Sequence, residues 1–218
     1  MSDGVKRRSY RSTKRQAAAQ ATRAAVLAAA HALFVEVGYA RTTVADVAAR
    51  AGVNVDTVYA TVGRKPALMR AVVEAAISGV DHAVPAEQRD YVRAIRAATS
   101  ATDKITIYAV ALAEMAPRTA PLFEALRIAG LTDDDCAALY REITQRRAAN
   151  MRLFAADLRG TGRLRDDLDD DEVADIVWSM NAAEYYLLLT RDRGWSTERF
   201  GRHLADAWCR LLLAEDVG

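Results

Sequence analysis

The stretch from Thr43 to Gly63 constrains this chain more than any other. Thr43 followed three residues later by Asp46 is a capping-box pattern, so a short helix starts there. Val44, Val47 and Ala48 form its apolar side, and Ala51-Gly52-Val53-Asn54 breaks it. Asn54 is a good N-cap for a second short helix, about Val55 to Val62, which Gly63 ends. The small Ala48 lets the two helices pack closely, and Gly52 permits the sharp turn between them. Val47, Val53 and Val58 fill the space enclosed. The pattern predicts a helix-turn-helix. Its second helix presents Asn54, Val55, Asp56, Thr57, Tyr59, Ala60 and Thr61 as surface candidates. Short polar and small apolar side chains on such a helix suit base edges and thymine methyl groups in a major groove.

The flanking sequence is helical as well. Residues 1–19 are polar and basic and are assigned to a flexible arm; helix is expected from about Ala17 to Val37, with Val26, Leu27, Ala30, Leu33 and Phe34 at helical spacing. Another helix is expected from about Lys65 to Val80, with Pro66 in its first turn. Pro85 marks a boundary, so residues 20–80 form one domain and 86–218 another. In the second, helices are expected near 86–98, 102–115, 118–129, 133–159, 170–191 and 196–214, and acids such as Asp133 to Asp135 and Asp169 to Glu172 suit their positive N-termini. Proline is scarce and no alternating Val/Ile/Thr run appears, so the chain reads as all-α.

Charge separates the two parts. Residues 1–70 hold 12 Lys/Arg against 4 Asp/Glu, a balance of +8; the rest holds 18 against 25, a balance of −7. A basic front and an acidic body suggest a polyanionic partner for the front only. Cys136 and Cys209 lie far apart without CxxC spacing, and His31, His82 and His203 are dispersed, so neither a disulfide framework nor a metal site is indicated. No GxSxG, P-loop or HExxH pattern occurs, and no enzyme or cofactor is expected. The N-terminus lacks the apolar segment of a secretory signal, and no apolar run is read as approaching the roughly 18 residues that span a bilayer; a cytoplasmic protein without membrane partners is expected.

Residues 24–73 resemble the TetR-family DNA-binding domain. Ala29-Ala30-His31-Ala32-Leu33-Phe34, then Gly38-Tyr39 and Thr42-Thr43-Val44, match the family's first helix and its exit. Ala48 to Gly52-Val53 and Thr57-Val58-Tyr59 match the turn and recognition helix, and Lys65 and Leu68 match the start of the next helix. The resemblance implies an all-α protein with an N-terminal three-helix helix-turn-helix domain and a larger helical ligand-binding and dimerisation domain. It implies phosphate contacts from Thr43, Tyr59 and Lys65, with Thr42 and Thr61 beside them, and base reading by Val55 and Asp56 flanked by Asn54 and Thr57. By their charge beside the motif, Arg11, Lys14 and Arg15 are read as a phosphate- or minor-groove-seeking arm, the alternative being a solubilising tail. Two departures stand out: Asn54 replaces the usual Ser, and Val62 replaces an aromatic, which leaves the angle of the recognition helix open.

The resemblance also implies a homodimer on a palindromic operator, released by a small molecule, with the last two long helices pairing with their copies. Phe200, Leu204, Trp208 and Leu211 are the expected interface. Apolar and aromatic candidates for a ligand pocket are Tyr108, Met115, Phe123, Met151, Phe154, Trp178 and Tyr185, joined by Asn150, Asn181 and Glu184, which interrupt apolar stripes. Glu184 falls on the stripe from Val173 to Leu188, where a carboxylate needs a partner: an arginine at the dimer edge or a ligand. Other readings are a ligand-independent architectural DNA binder and a helical module that binds acidic proteins.

Overall fold

The computed structural model describes residues 3–215, with side chains from Lys14 onward. The described residues form helices α1 (Asp3–Glu36), α2 (Val44–Ala51), α3 (Val55–Thr61), α4 (Lys65–Ser78), α5 (Asp90–Ala97), α6 (Ala101–Ala129), α7 (Asp134–Arg159), α8 (Asp170–Met180), α9 (Ala183–Leu187) and α10 (Thr197–Leu212). They divide into two compact units, residues 1–83 and 84–218.

In the first unit α1 packs on α2 and α4, and α2 packs on α3. Val26, Ala30, Phe34, Val47, Val58 and Leu68 are fully or almost fully buried there. The arm expected to be flexible is a correction: α1 begins at Asp3. Between Gly4 and Gly38 no glycine or proline interrupts a run of good helix formers, so the helix carries on beyond its packed part. The segment Lys14–Glu36 is also long and apolar enough, by length and composition, to cross a membrane, which the sequence reading did not anticipate. Ten of its 23 residues are alanine, and its large side chains Val26, Leu27 and Phe34 are spent on the core of this unit.

The second unit is built on α6, which packs against α5, α7, α9 and α10. Helices were expected near 102–115 and 118–129; they are one helix, which runs through Pro117 and Pro121. Each proline removes a ladder hydrogen bond. Side chains in the same turn supply others: Arg118 donates to the Glu114 carbonyl (3.1 Å) and Thr119 to that of Met115 (3.0 Å). The reverse occurs at 170–191, expected as one helix. It divides at Asn181 and Ala182, the latter extended, and closes with a π-helical turn over Leu188–Asp192.

Helix α10 crosses α6 where glycine meets alanine. A Cβ on Gly201 would lie 3.0 Å from the Ala113 Cβ. Replacing Gly201 with Leu would drive the side chain into that crossing. Overpacking of this kind costs about 1–3 kcal/mol. Denaturant unfolding of Gly201→Leu should show a loss in that range; unchanged stability would mean that the crossing is not close.

Candidate nucleic-acid interface and helical-domain cluster

The recognition helix is fixed at both ends. At its start the Asn54 side-chain oxygen accepts from the Thr57 amide and hydroxyl, both at 2.8 Å. The Asn54 amide nitrogen has no partner among the described residues and is exposed. At its end the Arg23 guanidinium, from α1, donates to the Thr61 carbonyl (3.0 Å) and to that of Asp81 (3.2 Å). A cation there complements the negative pole of α3. Arg23 is absent from the sequence candidates, and its spacing gives no sign of this role.

Helix α2 starts as its capping box requires. The Asp46 carboxylate accepts from the Thr43 amide (2.8 Å) and hydroxyl (2.7 Å), and the Asp46 amide donates to the Thr43 hydroxyl (3.1 Å). Its end is tied to α1 by two bonds from Arg50 to the Glu36 carboxylate, 2.5 and 2.8 Å long. These bonds hold Glu36 below the usual carboxylate range.

The candidates of the first unit differ in accessibility. Asn54, Asp56, Val55 and Tyr59 are exposed, Tyr59 by 47%. Thr43 is exposed, but its hydroxyl proton is committed to Asp46. Thr57 is half-buried. Lys65 is half-buried, with Nζ 4.2 Å from the centre of the Tyr39 ring and 3.4 Å from the Ala40 carbonyl. Lys14 and Arg15 are exposed on α1, whereas the side chain of Arg11 lies outside the described residues. Thr42 is a correction. It is 1% exposed, and its hydroxyl donates to the Gly38 carbonyl (2.9 Å), because it closes the α1–α2 loop instead of facing outward. Thr61 likewise spends its proton within α3, on the Thr57 carbonyl.

In the second unit five of the expected pocket residues come together. The Tyr108 hydroxyl accepts from the Asn181 side-chain amide (2.8 Å) and donates to the Met151 sulfur (3.4 Å). The Tyr108 ring lies 5.0 Å from Phe154 and is stacked 5.6 Å from Trp208. Burial pushes the Tyr108 hydroxyl pKa well up. Arg147 joins them: its Nη2 donates to the Asn181 side-chain oxygen and to the Trp178 carbonyl, and its guanidinium lies 5.2 Å from the Trp178 ring. The sequence candidates do not include Arg147, although its spacing with Ile143, Met151 and Phe154 sets a cation on the apolar face of α7. Met115, Phe123 and Asn150 are half-buried and show no bond or ring contact to this cluster. Tyr185 belongs elsewhere, its hydroxyl 2.7 Å from His203 Nε2.

Two further corrections follow from packing. Glu184 is not on a buried stripe: its side chain is 52% exposed and lies 3.4 Å from Arg127 of the same chain. The break at Asn181 shifts the helical register, so the stripe that starts at Val173 does not reach Glu184. Phe200, Leu204 and Trp208 are 0–2% exposed within the chain itself, where the apolar face of α10 is used against α6; only Leu211, at 43%, stays open to a partner.

Residues 26–72 match the family model for bacterial regulatory proteins of the TetR family. The first unit thus contains a helix-turn-helix domain of TetR type. Similar solved structures extend the likeness of fold over both units. The SmeT–triclosan complex, SmeT being the repressor of the Stenotrophomonas maltophilia multidrug efflux pump SmeDEF, is 20% identical, with a TM-score of 0.70 over 91% of this chain and 95% of that one. NalD, the secondary repressor of the MexAB-OprM pump in Pseudomonas aeruginosa, is 17% identical, with 0.68 over 92% and 99%. The fatty acid degradation regulator FadR from Bacillus halodurans is 15% identical, with 0.68 over 86% and 94%. A sequence search of curated proteins finds no match.

The capping box makes α2 acid-sensitive. The Thr43 hydroxyl first, and the Thr43 amide second, hold Asp46 below the usual carboxylate range. A carboxyl with a lowered folded pKa stabilises above its unfolded value, about 3.9, and this contribution is lost as pH falls through the folded value. Protection of the Asp46 amide against exchange, relative to its intrinsic rate at each pH, should therefore fall below about pH 4 in the wild type. In Asp46→Asn that acid step should disappear; an unchanged step would assign it to another carboxyl.

Proposed function

We propose that this protein is a homodimeric, cytoplasmic repressor that binds a palindromic operator and leaves it when a small molecule enters the helical domain. The observation that carries the reading is the TetR-type α3, held at both ends and presenting exposed Asn54, Val55, Asp56 and Tyr59. The Asn54 amide supplies two N–H donors for base acceptors, and Val55 suits a thymine methyl. Asp56 accepts from a cytosine N4 amine, the pairing that makes a carboxylate acceptable in a groove lined by phosphates. Tyr59 and Lys65 hold phosphates and set the register. Lys65 is already oriented by the Tyr39 ring. Lys14 and Arg15 add long-range attraction.

Release by a ligand is supported by the fold shared with SmeT, itself known as a triclosan complex. The paired recognition helices of a dimer fit successive major grooves only when they are about 34–36 Å apart, so a ligand that favours another spacing lowers affinity.

Selection from a random duplex library at physiological salt should recover a two-fold palindrome. Lys65→Ala should weaken binding to all sequences alike and reduce the salt slope by about 1. Asp56→Ala should instead relax preference at one base pair per half-site. Recovery of no consensus would overturn the reading.

A further inference from the structure

The second unit shields a positive charge that forms no ion pair among the described residues. Arg147 is largely shielded between α7 and α8, and burial pulls its pKa below the ordinary guanidinium value. Its acceptors among the described residues are both neutral oxygens, from Asn181 and the Trp178 backbone, and both are served by Nη2. Its Nε and Nη1 have no partner among the described residues. The nearby Glu184 favours the Arg147 cation only through space, its carboxylate being engaged by Arg127 and by the Tyr140 hydroxyl, each at 3.4 Å. An independent observation concerns the ring against which Arg147 lies. The Trp178 indole nitrogen is buried and has no hydrogen-bond partner. A buried donor left unmade costs free energy, and a guanidinium costs more. Unanswered donors on Arg147 and on the ring it lies against suit an acceptor that carries charge.

We propose that the Arg147–Trp178 pair is the anchoring subsite for an organic anion, a carboxylate or sulfonate borne on an apolar frame. The proposal rests on the reading of this domain as ligand-binding. The anionic group takes the Nε and Nη1 donors of Arg147 and the Trp178 indole N–H. The apolar frame lies against Tyr108 and Met151, whose polar atoms are already satisfied by each other and by Asn181. Anion binding would also act on Asn181, where α8 ends, because Arg147 holds that residue. The effector class is thus set by a charge located at a helix break.

The test uses the full chain and two probes with one aromatic frame: 8-anilinonaphthalene-1-sulfonate, an anion, and N-phenyl-1-naphthylamine, which is neutral. Fluorescence titration of the wild type should show the anion bound more tightly. Arg147→Met should weaken the anion by roughly 10- to 100-fold, the worth of charge-assisted hydrogen bonds, and leave the neutral probe within about twofold. Trp178→Phe removes a donor that has no partner, so the anion should weaken severalfold with no fall in Tm; this variant decides the matter if Arg147→Met does not fold. Anion binding that is unchanged in both variants, or equal loss of both probes, overturns the anion subsite and leaves a ligand-binding domain standing. Binding of neither probe to the folded wild type refutes the ligand-binding reading and this proposal with it.

Discussion

The second unit depends on how near another helix can come to α6. That helix lends surface to four others, and it can do so because much of its buried face is alanine: Ala101, Ala109, Ala113, Ala116 and Ala120. Small side chains bring backbones close, and the residues that face them must match. Gly201 does so on α10, so the large groups beside it, Phe200, Leu204 and Trp208, reach past α6 into the interior. The stack of Tyr91, Tyr108 and Trp208 forms in the space so defined. The cluster around Asn181 is thus a consequence of the crossing. Tyr108 stands on α6 where it can meet α7 and the end of α8 together.

The first unit solves a different problem, which is to hold a seven-residue helix still in solvent. A helix of that length is not stable alone. One side chain, Val58, is buried under it, and both ends are tethered: Asn54 within the helix and Arg23 from outside. Arg50 and Glu36 lock the supporting helix to α1. The tethers leave Val55, Asp56 and Tyr59 free of structural duty. An exposed residue without structural duty can vary with the DNA sequence to be read, while the frame stays the same.

Local signals were legible in the sequence; those that depend on distant packing were not. The starts of α2 and α3 follow from Thr43, Asp46 and Asn54, because a cap acts over three residues. The joined α6 and the divided α8–α9 both run against local propensity. Pro117 and Pro121 are tolerated because α6 is packed on several sides, and α8 stops at Asn181 because that side chain bonds to Tyr108, Met151 and Arg147, 30 or more residues away in sequence. The same break undid the expectation for Glu184. The stripe on α10 was correctly apolar, but periodicity does not say which partner covers a face, and α6 of the same chain takes it. Thr42 looked like part of a polar helix start and proved to be the bolt of the preceding loop.

Two shielded cations in the second unit, Lys104 and Arg147, differ in how their charge is answered. Lys104 is 4% exposed, yet its ammonium lies 2.8 Å from the Asp157 carboxylate and 2.9 Å from the Ile95 carbonyl. Its charge is answered within the fold and ties α5, α6 and α7 together. Arg147 has the neutral half of such an arrangement, a carbonyl and an amide oxygen, without the carboxylate. A guanidinium is more weakly hydrated than an ammonium and survives partial burial better, but an uncompensated one still destabilises the chain that holds it. A methionine or leucine at that place would pack on Trp178 without that desolvation, but would leave the Asn181 oxygen and the Trp178 carbonyl without their donor. The bonds at the end of α8 account for a donor at that place, and the proposed anion would account for its charge.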